Sequence, residues 1–299
     1  MPRWIWNSAA SLAMLTALAA PPALAEGERL VMDRAPSGHF LVPVTINDTG
    51  PYTFIFDTGA SHTAIAQPIA EALGFVSQWE RTGDVQSLTT RFEAERFPLR
   101  RFEFAPTGPL GLDAVVVPTD PDEPRPVAGL LGADAITSLR YAVDFSTGTL
   151  TYDADAAAHA DGRVNPIGLL LAEARLLRGI SHINVIIDSG SARSIVNPEM
   201  ARNVRQRSNL IRYNINGVDD DIDMEAAPVA IRRFQIGGLC LDSVIALQAD
   251  LDVFHALGWN TEPAIVLGMD VLQHASVTVD REAGIVQIDA AGDGIACSR

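Results

Sequence analysis

The sequence predicts a mainly β protein built from two similar halves related by a pseudo-twofold axis. Apolar and polar residues alternate over short runs separated by turn residues, which is the pattern of β-strands and hairpins. The chain also repeats itself, because FIFDTGASHT at residues 54–63 resembles VIIDSGSARS at residues 185–194. In both copies three apolar residues precede an aspartate, a hydroxyl residue and a glycine.

The sequence around the two motifs repeats in the same order. Residues 39–56 and 169–187 each contain apolar runs around turn residues, which predicts a hairpin before each motif. Residues 66–75 and 197–207 each carry a proline near their start, which predicts a short helix after each motif. Further along, LRRFEF, LDAVVV, AGLLGADAI and YAVDFSTGTLTYD match IRRFQI, LDSVIAL, AIVLGMDVL and VTVDREAGIVQID. The repeat therefore extends far beyond a tripeptide.

The repeat divides the chain into predicted domains. We expect residues 26–153 to form an N-terminal lobe and residues 165–299 a C-terminal lobe, joined by a linker at residues 154–164. Residues 1–25 have the layout of a secretory signal peptide, with Arg3, a mostly apolar core and an Ala-Leu-Ala ending. The alternative is an uncleaved anchor, although the apolar run is shorter than the ~20 residues of a spanning helix. We predict an exported protein, periplasmic or secreted, without membrane contact after cleavage.

Composition and cysteine usage narrow the possible chemistry. The net charge of −15 makes the chain a poor partner for nucleic acid or an anionic membrane. All 22 basic residues are arginine, so lysine Schiff-base chemistry is excluded. The histidines lack metal-ligand spacing, which predicts no metal and no cofactor. Cys240 and Cys297 predict a disulfide in an exported protein, and the alternative is two free thiols.

The duplicated motif places an ionisable residue at the end of an apolar strand in each half, Asp57 and Asp188. An isolated Asp-Thr-Gly is most often a turn, since these residues favour the ends of strands. Recurrence in the same context favours a functional carboxylate instead. Two carboxyl groups that meet at an axis cannot both ionise comfortably, so they share one proton. The ionised group can accept a proton from water while its partner bonds a carbonyl, which is general acid–base hydrolysis.

The residues that follow each aspartate suit a paired site. Thr58 and Ser189 carry hydroxyls that can form hydrogen bonds across the axis and fix both loops. Gly59 and Gly190 allow backbone N–H groups to approach the carboxylates closely. The apolar residues before each aspartate keep the base of the site dry, which strengthens electrostatic interactions there.

These motifs resemble those of the pepsin and retropepsin superfamily of aspartic proteases, and most closely bacterial exported retropepsin-like proteins. The residues that carry the resemblance are Asp57 to Ser61, Asp188 to Ser191, Leu130 to Gly132 and Val266 to Gly268. The resemblance implies a bilobal acid-protease fold in which the apolar-apolar-Gly segments pack behind the catalytic loops. It also implies that Asp57 and Asp188 are catalytic and that Ser61 and Ser191 support their loops. Because both lobes lie in one chain, we expect a monomer that acts as an internal pseudo-dimer on peptide or protein substrates.

The resemblance also implies a β-hairpin flap over the cleft. The candidates are residues 81–91 and residues 213–223, and the second contains an acidic run at residues 219–223. The second motif departs from the first because Ala192 stands where the first has Ser61. The hydrogen bond expected of the Ser61 hydroxyl is therefore unavailable in the second loop.

The leading hypothesis is an aspartic endopeptidase that activates a water between the two carboxyl groups. The first alternative is a peptide-binding protein on the same fold with weak or no turnover, because fold does not guarantee activity. A serine hydrolase based on Ser61-His62 or Ser189 is a third option, but G-x-S-x-G is absent from the sequence. Asp134 and Asp270 are interpreted as structural residues at helix starts, where a carboxylate is favourable.

Overall fold

The computed structural model of the chain describes residues 28–77, 82–105, 107–117, 127–206, 213–216 and 223–297. These residues form a mainly β fold with barrel-like sheets and short helices, so the predicted mainly β, pepsin-like fold is confirmed. The predicted signal peptide, residues 1–25, lies outside the described residues. In the described part of the chain, no helix is both long enough and apolar enough to cross a membrane.

The first half of the chain, as far as the structure describes it, is a succession of strands with one short helix and one 3₁₀ turn. In chain order its elements are β1 (Arg29–Val31), β2 (Asp33–Arg34), β3 (Phe40–Ile46), β4 (Thr49–Phe56), β5 (Ala64–Ala66), α1 (Gln67–Ala72), β6 (Thr82–Gln86), β7 (Arg91–Glu103), β8 (Leu110–Val117), β9 (Gly129–Leu131), a 3₁₀ turn (Ala133–Ala135), β10 (Arg140–Asp144) and β11 (Thr149–Tyr152).

The second half repeats this order with a few additions. Its elements are β12 (Gly162–Val164), β13 (Leu170–Leu176), β14 (Ile183–Ile187), β15 (Ile195–Val196), α2 (Pro198–Arg202), β16 (Arg205–Gln206), β17 (Tyr213–Asn216), β18 (Asp223–Ile236), β19 (Leu239–Gln248), α3 (Asp252–Ala256), β20 (Ala264–Leu267), α4 (Met269–Leu272), β21 (Ala275–Asp280), β22 (Ile285–Ala290) and β23 (Ile295–Ala296). The linker was predicted at residues 154–164, and its last three residues form β12, which pairs with β13 and β22.

Local sequence explains the hairpin and the helix beside each motif. The turn between β3 and β4 places Asn47 and Asp48 at φ 48° and 64°, a left-handed conformation that these two residue types tolerate. At the start of α2 the side chain of Asn197 accepts a hydrogen bond of 2.9 Å from the backbone N–H of Met200. A capping side chain followed by a proline in the first turn is a strong helix start.

Each aspartate motif follows a strand that is buried between neighbours. β4 runs parallel to β9, and in the second half β14 runs parallel to β20. β5 and β15 return antiparallel to β9 and β20 and lie parallel to β8 and β19. The same threading in both halves directs the end of the motif strand, and hence the aspartate, to the middle of the molecule.

The closing hairpins of the two halves share one sheet. β10 pairs with β11 and also with β21 of the second half, which in turn pairs with β22. Arg281, directly after β21, donates hydrogen bonds to the carbonyls of Ala133 and Ile136 and lies over the ring of Tyr141 at 5.3 Å. These contacts link the second half to the 3₁₀ turn behind the first motif.

The main core crosses between the halves, and a disulfide fastens the chain end. Phe54 and Phe102 pack edge to face in the first half, with ring centroids 5.5 Å apart. The buried core that contains them continues through Val185 and Phe234 of the second half. Cys240 and Cys297 form a disulfide with Cα atoms 5.2 Å apart, and β23, which Cys297 follows, pairs with β19.

Candidate active site

The two aspartates occupy equivalent places at the ends of the motif strands. The backbone N–H of Asp57 donates to the carbonyl of Leu131 at 3.0 Å, and that of Asp188 donates to the carbonyl of Leu267 at 3.0 Å. Asp57 is 8% exposed and Asp188 is 2% exposed. Both carboxyl groups are thus held in a largely dry position by the parallel pairing of the strands behind them.

The hydroxyls of Thr58 and Ser189 form a reciprocal network across the axis. The Thr58 hydroxyl donates to the carbonyl of Ile187 at 2.9 Å and accepts from the backbone N–H of Ser189 at 3.0 Å. The Ser189 hydroxyl donates to the carbonyl of Phe56 at 2.8 Å and accepts from the backbone N–H of Thr58 at 3.0 Å. Four hydrogen bonds therefore join the two motif loops directly, and all of them are buried.

The glycines let each loop approach the opposite carboxyl group. The N–H of Gly59 donates to Oδ1 of Asp57 at 2.8 Å, and the N–H of Gly190 donates to Oδ1 of Asp188 at 2.9 Å. A Cβ added at Gly59 would lie 2.5 Å from Cγ of Asp188, and one added at Gly190 would overlap Cγ of Asp57 in the same way. Each glycine therefore faces the carboxyl group of the other half, where a larger residue does not fit.

The electrostatics of the pair favour one shared proton. Burial raises the pKa of Asp57, although a hydrogen bond from the N–H of Gly59 and the interaction with Asp188 oppose the rise. The pKa of Asp188 is raised well above its ordinary value, first by burial and then by the negative charge of Asp57 and the hydrogen bond between them. Two buried carboxyl groups in contact titrate as a unit, so one of them stays protonated where isolated carboxyls would ionise.

Two further aspartates brace the motif loops, a role that the sequence interpretation did not reach. Oδ1 of Asp134 accepts from the N–H and the hydroxyl of Thr63, both at 2.7 Å. Oδ1 of Asp270 accepts from the N–H of Ser194 at 2.9 Å and from its hydroxyl at 2.7 Å. Both carboxylates lie at helix starts, as predicted, and they also tie the chain after each motif to the segment behind it. The sequence signal for this role was that a hydroxyl residue, Thr63 or Ser194, occurs at the same position after each motif.

The remaining hydroxyls of the motif loops bond locally. The Ser61 hydroxyl lies 2.9 Å from Nδ1 of His62, and the Ser191 hydroxyl donates to the carbonyl of Arg193 at 2.9 Å. A serine nucleophile receives little support, because Ser189 is fully buried and its hydroxyl is engaged in the cross-axis network. In the described residues, no group of three or more His, Cys, Asp or Glu side chains could hold a metal ion.

The first flap candidate is a β-hairpin that reaches the second half. β6 and β7 pair from Thr82↔Glu95 to Gln86↔Arg91. The tip residue Leu88 packs on an apolar cluster of the second half that includes Val253 and Phe254. The carbonyl of Leu88 accepts from the N–H of Val253 at 3.2 Å, and Nε2 of Gln86 donates to Oδ2 of Asp252 at 2.9 Å. The hairpin thus bridges the two halves of the molecule.

The second flap candidate is also formed by paired strands. β17 pairs antiparallel with the start of β18, with Asn216 opposite Asp223. Residues 217–222, which contain most of the predicted acidic run, lie outside the described residues.

Comparison with known proteins gives one family match. Residues 42–135 match the model of a family described as aspartyl protease. The matched segment contains the Asp57 motif and the apolar-apolar-Gly segment that ends at Gly132, and it supports a protease function in general. No curated protein matches the chain.

Proposed function

We propose that the protein is an aspartic endopeptidase that hydrolyses peptide bonds with a water activated between Asp57 and Asp188. The single observation that carries the proposal is the pair of buried aspartates, each at the end of an equivalent strand and each facing the glycine of the opposite motif loop. The family match over residues 42–135 supports the same class of activity.

The proposed reaction needs only the two carboxyl groups and water. The ionised carboxylate removes a proton from the water, and the water oxygen attacks the carbonyl carbon of the scissile bond. The protonated carboxyl group donates its proton to the carbonyl oxygen, which gives a neutral tetrahedral diol. The C–N bond then breaks as the nitrogen takes up a proton and the diol loses one, so the dyad regains its starting charge.

In this proposal the hydrogen-bonded motif loops hold the two carboxyl groups in fixed positions. The four cross-axis hydrogen bonds fix the relative position of the loops before substrate binds. The N–H groups of Gly59 and Gly190 supply fixed donors to the carboxylates. Donors that are in place beforehand need no reorganisation during the reaction, which is the main source of electrostatic catalysis.

The wider setting belongs to the same proposal. We infer an exported protein, periplasmic or secreted, that acts on peptides or proteins as a monomer with two retropepsin-like lobes. The hairpin of β6 and β7 is the flap in this proposal, because its tip residue Leu88 reaches from the first half to the second.

The test is cleavage of a mixed peptide library by residues 26–299 over roughly pH 3–8, the span in which coupled carboxyl groups titrate. We expect the parent to cut and the Asp57→Asn and Asp188→Asn variants to lose cleavage, while Asp242→Asn, at an exposed site, cuts like the parent. A statine-type inhibitor should block the parent.

The main alternative gives a different result in the same experiment. If the parent leaves every peptide intact but all four proteins retain the same peptides on a column, the protein is a peptide-binding module. If Asp57→Asn and Asp188→Asn cut at the parental rate, the paired-carboxylate mechanism is wrong.

A further inference from the structure

His39 lies next to the Asp57 strand, just before β3. In the β3–β4 hairpin Leu41 pairs with Ile55, and continuing this antiparallel register by two residues places His39 opposite Asp57. Side chains alternate along a strand, so His39 and Asp57 project on the same face as Leu41 and Ile55. Directly opposite residues on one face have Cβ atoms about 4.5–5.5 Å apart.

The second half has a leucine at the equivalent position. The sequence PSGHFL at residues 36–41 corresponds to PIGLLL at residues 166–171. In the β13–β14 pair Leu171 lies opposite Ile186, and the same extension of the register places Leu169 opposite Asp188. The motif aspartates therefore have different cross-strand neighbours in an otherwise repeated structure.

The backbone around the two positions is the same, so the difference lies in the side chains. The carbonyl of His39 accepts from the N–H of Ala35 at 2.9 Å, and that of Leu169 accepts from the N–H of Asn165 at 2.9 Å. The glycine before each residue has a positive φ, 93° in the first half and 92° in the second. A histidine is thus presented in a conformation that the fold also uses for an aliphatic residue.

The imidazole of His39 is held by a residue that also breaks the repeat. The Ser37 hydroxyl lies 2.9 Å from Nδ1 of His39, whereas the second half has Ile167 at the position of Ser37. Nε2 of His39 is buried and has no hydrogen-bond partner among the described residues. The serine therefore fixes the ring by one nitrogen and leaves the other in the interior.

The strand β2, which lies beside the start of β3, carries two charged residues. Asp33 and Arg34 lie on β2, which pairs with β3, and both are exposed. The Arg34 guanidinium lies over the ring of Phe40 and donates to Gln273 at 2.8 Å, so it is engaged elsewhere. Asp57 is the charged residue opposite His39 in the extended register.

We propose that His39 is a positioning residue that makes the two carboxyl groups unequal, so that Asp57 carries the negative charge and Asp188 carries the shared proton. This inference rests on the proposed endopeptidase function. An imidazole is positively charged over the acidic range in which carboxyl pairs titrate, and an opposite charge nearby favours the ionised carboxylate. Asp57 then takes the proton from the attacking water, and Asp188 donates its proton to the substrate carbonyl oxygen.

The balance of interactions at the dyad agrees with this assignment. Burial raises the pKa of Asp57, and the positive charge of His39 is one of the groups that oppose the rise. Burial also raises the pKa of Asp188, and there the charge of Asp57 adds to the rise. His39 acts on one member of the pair, and Leu169 brings no charge to the other.

The first test is the pH profile of kcat/KM for the parent and two His39 variants. His39→Gln keeps a hydrogen-bonding side chain without the charge, and we expect the acidic limb to move up by about one pH unit. His39→Arg keeps the charge, and its limb should stay at the parental pH. His182→Gln, an exposed histidine on the turn between β13 and β14, is the matched control. If the acidic limb of kcat/KM falls at the same pH in the parent and in His39→Gln, the assignment is wrong.

A second measurement does not depend on activity. Thermal melts of the parent, His39→Gln, Asp57→Asn and the double variant form a double-mutant cycle at pH 5 and at pH 8.5. We expect a coupling between the two positions at pH 5 that disappears at pH 8.5, where an imidazole is neutral. Absence of coupling at pH 5 would overturn the inference. Coupling without peptide cleavage by the parent would support the His39–Asp57 interaction and refute the endopeptidase function.

Discussion

The cross-axis network makes a quantitative prediction for Thr58→Val. Valine has nearly the shape of threonine but lacks the hydroxyl, so the change removes two of the four hydrogen bonds and little else. The N–H of Ser189 loses its acceptor at 3.0 Å, and the carbonyl of Ile187 loses its donor at 2.9 Å. Both groups lie in the buried centre between the halves.

The size of the effect follows from these two groups. A buried N–H without a partner costs about 1–3 kcal/mol, and a lost hydrogen bond to a carbonyl that keeps another acceptor site costs about 0.5–1.5 kcal/mol. We therefore expect Thr58→Val to lower the free energy of unfolding by about 1.5–4.5 kcal/mol, the sum of these contributions.

Denaturant unfolding followed by fluorescence measures this loss. Thr58→Ser is the control, because it keeps the hydroxyl and removes only a methyl group, so we expect a loss of about 1 kcal/mol. Ser189→Ala, which removes the reciprocal pair of bonds, should resemble Thr58→Val. If Thr58→Val unfolds within about 0.5 kcal/mol of the parent, the network does not join the halves as described.

Three other changes test separate features. Asp188→Asn should stabilise the protein near pH 7 by about 1.4 kcal/mol per unit of raised pKa, and the gain should vanish near pH 3 in thermal melts. The sign follows because the pKa of Asp188 is raised in the folded state. The parent protein therefore loses stability as the pH rises from the ordinary carboxyl pKa to the raised one, and an asparagine avoids this loss. Leu88→Ala should speed hydrogen exchange of residues 82–91 about fivefold, and equal exchange would contradict the contact of Leu88 with the second half. Replacing Cys240 and Cys297 by alanine should cost about 2–4 kcal/mol by denaturant unfolding; parental stability would show that the disulfide contributes little.

Much of the fold was predictable because the same pattern of hairpin, motif and helix occurs in both halves of the sequence. The hairpin before each motif and the helix after it follow from local turn and capping residues, such as Asn47 and Asn197. The opposed placement of Asp57 and Asp188 required the additional idea of a twofold axis, which the repeat supplied. Local sequence and duplication together were therefore enough for the architecture and the motif loops.

Contacts between the halves were not predictable in the same way. The contacts of Arg281 with the 3₁₀ turn and the docking of Leu88 on the second half join residues far apart in the chain. Their partners are set by tertiary geometry, which leaves no periodic signal in the sequence. His39 was visible only as the first residue of an alternating run, and its relation to Asp57 needed the strand register.

The role of the two aspartates is tested most directly by comparing kcat/KM for peptide cleavage between the parent and Asp57→Asn at the parental pH optimum. General acid–base catalysis by a positioned group contributes about 10²–10⁴-fold. We expect Asp57→Asn, which keeps the shape of the side chain, to lose at least about 10²-fold in kcat/KM while remaining folded. A folded Asp57→Asn variant with parental kcat/KM would show that the two aspartates do not form the catalytic centre.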